Sequence, residues 1–224
     1  MASWIVHLRI ADRLLNEIPG LKATEFVVGN IAPDSGIPNE DWTAFTPSPV
    51  VSHFKADDSV PKKIQIPVFT ARHFSEEKRA EYSAEEYSFF LGYLVHLLTD
   101  VLWSDQVGGQ LKNRFAVEWA ADKHGLIQRA KEDWYDLDFL FLKKHPDFRA
   151  YTVYENAVGF QNTFLHFFSP DAFDNRREYI TSFYRQEKEH LDREYPYLAE
   201  AEMDAFVEHA AEEIRFRLKS EYSL

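Results

Sequence analysis

His96 and Asp100 stand four residues apart in "SFFLGYLVHLLTD", residues 88–100. This apolar run reads as a helix, so the two side chains share one face. Gly92 lies a turn earlier on that face and leaves room for another backbone or a ligand. Tyr87, Phe90, Leu94, Leu97 and Val101 form an opposing stripe that anchors the helix in a core. An imidazole beside a carboxylate in such a setting either satisfies its partner by hydrogen bonding or joins it in holding a divalent cation. Three more groups of the same chemistry lie upstream: His7, sharing the apolar face of an amino-terminal helix with Trp4 and Ala11; Asp34 in "NIAPDSG"; and His53 in "VVSHF". Each also has an ordinary explanation: a core histidine, an Asx turn and an exposed histidine. Spacing alone does not make the five converge. The chain has no cysteine, so any metal would be held by nitrogen and oxygen.

The elements that must position these groups are mostly helical. Trp4, Leu8, Ala11 and Leu15 recur with helical spacing from Ser3 to about Glu17, where Pro19-Gly20 stops the run. Ser83 and Glu86 make a capping box for the 88–100 helix, which is expected to reach about Trp103, before Gly108-Gly109. Helices are also expected over Leu111 to Lys144 with a break near Gly125, over "YENAVGFQNTFLHFF", over "SPDAFDNRREYITSFYRQ", and from about Glu200 to Ser220. Residues 29–67 are dense in Pro, Gly, Asn, Asp and Ser yet interleaved with Val50, Val51 and Phe54, the pattern of a long ordered loop. The expectation is an all-α, multi-helix bundle of six or seven helices, a single domain over 1–224 with one long ordered loop.

Composition limits the function. With 45% hydrophobic residues the chain can bury a sizeable core, and no apolar stretch approaches the twenty or so residues of a transmembrane span. Arg9, Asp12 and Arg13 interrupt the amino-terminal apolar residues, so neither a secretory signal nor a lipidation motif is visible and a cytoplasmic location is expected. A net charge of -12 disfavours stable binding to nucleic acid or anionic lipid surfaces. The aromatic share of 16% reads as a core between helices.

"WIVH", "GNIAPDSG", "SHF" and "GYLVHLLTD", in this order, resemble the zinc-dependent phospholipase C family, whose helical fold is shared with single-strand-specific zinc nucleases. The motifs span roughly residues 1–105, with generic helices beyond. The resemblance implies a cluster of one to three metal ions, usually zinc, hydrolysing phosphoric esters; nitrogen and oxygen donors also accommodate manganese or iron. It implies one metal on His53, His96 and Asp100, a second on His7 with Asp100 bridging, and Asp34 as a ligand or general base beside the reacting water.

There are departures from the family pattern. Trp4 follows Met-Ala-Ser, whereas secreted members begin at a tryptophan whose amine and carbonyl bind metal. Gln106 stands where the family has a histidine. A later His-x-x-x-Asp or His-x-x-x-Glu pair has no counterpart, and its nearest substitute is "KEDWYDLDF". There Glu132 and Asp136, one turn apart with Asp138 behind, are either oxygen ligands for a further metal or a solvated acidic face. Asp105 and His124 are weaker candidates. His190 and His209 read as surface residues and His166 as a packed core histidine.

The expected function is therefore a zinc-dependent, phospholipase C-like hydrolase acting on a small phosphoester or phospholipid-like substrate. The alternatives are a non-catalytic helical metal-binding domain of the same fold and a nuclease-like phosphodiesterase. The last would need stacking aromatics beside the metals, for which Trp42, Tyr93 and Trp103 are the candidates.

Overall fold

The computed structural model describes residues 1–41, 43–56 and 63–222. Trp42, one of the stacking candidates, lies outside the described residues. The fold is all-α. Its central element is α6 (Ala84–Arg114), in which every residue from 88 to 100 is buried. A helix enclosed on all sides has no use for an amphipathic pattern. The stripe expected to anchor it is thus only one part of a surface covered all round by α1 (Trp4–Glu17), α2 (Ala23–Ile31), α4 (Ile66–His73), α7 (Ala116–Lys144) and α10 (Glu200–Tyr222). The Ser83–Glu86 capping box forms in both directions, at 2.9 and 3.1 Å.

Helix α2 makes the most intimate approach to α6. A Cβ added at Gly92 would lie 2.1 Å from the Phe26 carbonyl oxygen, and one added at Gly29 would lie 2.1 Å from that of Phe89. Each glycine therefore admits the other helix's backbone, and the space beside Gly92 is filled by α2. Sequence periodicity missed α2 because Phe26 to Ile31 are all buried, leaving no polar face to mark its turns.

Within the segment expected as a long loop, the described residues form a 3₁₀ turn (Ala32–Asp34), a small antiparallel pair of β1 (Ile37–Pro38) with β2 (Phe45–Thr46), and the single turn α3 (Pro49–Ser52). Further on lie α5 (Glu76–Glu81), α8 (Arg149–Glu155) and α9 (Ala172–Tyr184).

Three boundaries differ from expectation. Helix α6 continues through Gly108 and Gly109 to Arg114, because buried Val107 and Leu111 outweigh the poor propensity of glycine. Its successor α7 breaks at Asp122 (φ -150°, ψ 78°), three residues before Gly125; the Asp122 carboxylate accepts the Gly125 amide at 2.9 Å and restarts the helix as a cap. Most of "YENAVGFQNTFLHFF" is not helical. Asn162 organises it instead, donating to the carbonyls of Leu165 and Phe168 and accepting from the amides of Phe164 and Leu165. Among the described residues no helix is long and apolar enough to cross a membrane.

The α2–α6 contact makes a direct prediction. Gly92→Ala forces Cβ into the Phe26 carbonyl and should destabilise the fold by at least about 2 kcal/mol in urea unfolding. Gly109→Ala, in the same helix with nothing within 4 Å of its Cβ, should be neutral or stabilising by up to about 1 kcal/mol.

Candidate metal centre

Where α2 ends, its last turn faces His96. The Asn30 carbonyl lies 2.7 Å from His96 Nδ1 and can only accept, so Nδ1 carries the proton and the lone pair is on Nε2. Burial pushes the His96 pKa down to about 3, the neighbouring carboxylates opposing this only in part, so the ring is neutral at physiological pH. That is the protonation state of a metal ligand.

His7, on α1, stacks on His96 with ring centroids 3.8 Å apart and planes within 3°. His53 follows α3, where the Ser52 hydroxyl sits 3.0 Å from its Nδ1 and the Tyr93 hydroxyl donates to the Ser52 carbonyl. Asp34 ends the 3₁₀ turn that continues directly from α2.

These groups converge from four separate elements. His53 Nε2 is 3.3 Å from His96 Nε2, 3.6 Å from Asp100 Oδ2 and 3.3 Å from Asp34 Oδ1. His96 Nε2 is 3.8 Å from Asp100 Oδ2, and His7 Nε2 is 3.5 Å from Asp100 Oδ1. Ligands about 2.0–2.1 Å from a tetrahedral zinc lie about 3.3–3.4 Å from one another. The trio His53, His96 and Asp100 is near that spacing, and the trios His7–His96–Asp100 and Asp34–His53–His96 each have ligand atoms within 4.8 Å of one another.

Hydrogen bonding within the protein leaves this cluster incomplete. Both ring nitrogens of His7 and Oδ2 of Asp100 are buried without a hydrogen-bond partner. Asp100 Oδ1 accepts the Ala2 backbone amide at 2.8 Å. Burial opposes ionisation of Asp100 and Asp34, but their neighbours overcome it: the charged amino terminus first, then His7 and His96, hold Asp100 well below the usual carboxylate range, and His53, His96 and His7 hold Asp34 below it. A satisfied core pair would leave no such orphaned atoms. The donor set therefore fits a divalent cation.

The five groups differ in access. His7, His53, His96 and Asp100 are at most 2% exposed, whereas the Asp34 side chain keeps 11% of its surface. Asp34 and His53 line a cavity of about 390 Å³ that also receives Tyr135, Lys131 and Arg176. The sequence reading did not single out these last three. Arg176 lies in the last eighty residues, where no motif was visible.

Glu132 and Asp136 are not among the converging groups. Glu132 is exposed; Asp136 pairs with Arg193 at 2.8 Å and Lys188 at 3.0 Å. Asp138 is wholly buried, accepting the hydroxyls of Ser3, at 2.7 Å, and Tyr184. Asp105 and His124 are exposed, as are His190 and His209. His166, expected in the core, is exposed too, since the segment carrying it is the Asn162-centred turn. Two stacking candidates are core residues. Tyr93 is fully buried behind His53, and Trp103 packs edge-on against Trp134 and Phe206.

The family model for zinc dependent phospholipase C matches residues 6–194, and the chain belongs to that family of zinc phosphoesterases. No curated protein and no solved structure matches significantly. Family and donor set together assign zinc as the cofactor.

Asp138 generates a pH prediction. Burial raises its pKa to about 7, the hydroxyls of Ser3 and Tyr184 and the charge of Arg9 opposing this only in part. In the unfolded chain an aspartate loses its proton near pH 3.9, so between about pH 4 and pH 7 the folded state holds the extra proton. Stability should fall across that window and level off above it. Asp138→Asn should flatten the slope, as measured by urea unfolding at pH 5 and pH 8.

Proposed function

We propose that this protein hydrolyses phosphoric esters with zinc held by His7, His53, His96 and Asp100, and with Asp34 on the open side acting on the attacking water. The observation that carries this reading is the asymmetry of the cluster. Four ligand-type groups are buried close to zinc-ligand spacing, His7 and Asp100 among them with unsatisfied atoms, while Asp34, the most exposed of the five, stands with His53 at a cavity large enough for a substrate. A closed structural site has no need of such an open side.

When bound, zinc supplies Lewis acidity toward a phosphoryl oxygen and toward water. The chain's own groups do the remainder. The Asn30 carbonyl keeps the His96 lone pair on Nε2, and Ser52 orients the His53 ring from behind. Asp100, within 4 Å of all three imidazoles, is the group placed to serve two ligand sets at once. Asp34 is ionised at neutral pH and sits 3.3 Å from His53 Nε2 at the cavity edge, where it accepts a hydrogen bond from a water and aims it at the phosphorus. The buried His7 and His96 rings close the rear of the site to solvent.

Elemental mass spectrometry on protein purified without chelator tests the metal centre. At least one equivalent of zinc per chain is expected, and His96→Ala should lose most of it; a folded, metal-free wild type would overturn the proposal. Asp34→Asn separates metal holding from chemistry. Its zinc content should stay near wild type while hydrolysis of bis(p-nitrophenyl) phosphate falls by about 10²–10⁴-fold. Unchanged turnover would remove Asp34 from its role. Zinc in excess should also raise the unfolding temperature of the wild type, equivalent to about 2.7 kcal/mol at 100 times Kd.

A further inference from the structure

The cavity lined by Asp34 and His53 also receives two cations, Arg176 and Lys131. Arg176, on α9, is only 7% exposed and lines this cavity. Its Nη2 donates to the Gly36 carbonyl at 2.6 Å, and its guanidinium lies 5.3 Å from the Tyr179 ring centroid. Among the described residues no carboxylate stands within ion-pair distance of it. The other buried arginines behave differently: Arg9 pairs with Asp204 and Arg177 with Asp174, each at 2.6 Å. Lys131, on α7, lines the same cavity and likewise has no ion pair among the described residues.

The chain has 37 acidic and 25 basic residues, so carboxylates are plentiful. Leaving a buried guanidinium without one is costly unless an anion from solution supplies the counter-charge. Gly36 follows Asp34 by two residues, so the Arg176–Gly36 bond ties the cation to the loop that carries the open carboxylate.

We propose that Arg176 and Lys131 form an anion subsite that selects phosphate monoesters, which bring a second negative charge, over diesters carrying a cationic headgroup such as choline. This assignment rests on the phosphoesterase reading above. One guanidinium nitrogen is engaged by Gly36, and the remaining N–H groups are a planar fork suited to phosphate oxygens. Lys131 adds a mobile point charge. Arg176 also stands over the Tyr179 ring in the same cavity, so a cationic headgroup there meets a like charge and the same residue attracts the anion and opposes the cation.

Two substrates with one leaving group test this: p-nitrophenyl phosphate and p-nitrophenylphosphorylcholine, assayed with zinc-loaded protein. The ratio of kcat/KM for the first over the second should fall by about tenfold or more in R176Q, the loss of a charge-assisted hydrogen bond, with partial recovery in R176K. Lys131→Gln, at a partly exposed helical position, should move the ratio the same way and serves if R176Q fails to fold. An unchanged ratio in both variants would overturn the subsite.

Calorimetric titration with inorganic phosphate reads the subsite without catalysis. Weaker binding by R176Q or K131Q than by wild type supports it, and equal affinity overturns it. Failure of the wild type to take up zinc or to cleave either ester would instead count against the phosphoesterase reading, with the phosphate titration still deciding the subsite. Phosphate release from glycerol phosphate, compared with release from vesicles of phosphatidic acid in phosphatidylcholine, separates a soluble monoester from a lipid one.

Discussion

The contact on which the metal centre depends is the backbone approach of α2 to α6. Without side chains at Gly29 and Gly92 the two helices close until carbonyl meets Cα, and only at that distance does the Asn30 carbonyl reach His96. The same contact fixes the level at which α2 ends and turns into Asp34. On the same side of α6, Tyr93 holds the Ser52 carbonyl and so places His53. One helix crossing therefore sets the tautomer of one imidazole, the position of a carboxylate and, through a neighbouring hydroxyl, the second imidazole.

Partners, more than residue type, decide which buried acids are structural. Asp133 and Asp136 are buried carboxylates one turn apart, yet Arg193 bonds both, and the Tyr197 amide completes Asp133. Asp138 is held by two hydroxyls and ties α7 to Ser3, the residue that precedes α1. Asp100 has a backbone amide on one oxygen, while the other has no hydrogen-bond partner and stands 3.6 Å from His53 and 3.8 Å from His96. A carboxylate so buried is stable only when a positive charge completes its shell, and the unpartnered nitrogens of His7 show that no proton arrangement within the cluster satisfies every member.

The converging cluster was legible in the sequence because its residues sit in local contexts that survive folding. His96 and Asp100 share a helical face, His7 occupies the buried face of an end helix, and Asp34 and His53 stand beside prolines and small residues that turn the chain. The supporting shell was less legible. Asn30 acts through its backbone carbonyl, which carries no residue-type signal, and α2 is buried too uniformly to show a period. Arg176 and Lys131 lie on helices that carry other cations, and only their place at the cavity beside Asp34 sets them apart. Helix ends failed where side-chain hydrogen bonds, such as those of Asp122 and Asn162, redirected the backbone.

The wide separation of the clustered residues along the chain has a topological consequence. On the proposed ligand set, one ion joins the region of residue 7 to residue 100, and another coordination bond joins residue 53 to residue 96. Each closes a long loop of the unfolded chain, the entropic effect that a disulfide has in an extracellular protein. In a chain without cysteine, the proposed centre would thus also serve as its covalent-like staple. Metal loss would loosen the amino-terminal helix from the central one before disturbing either helix itself.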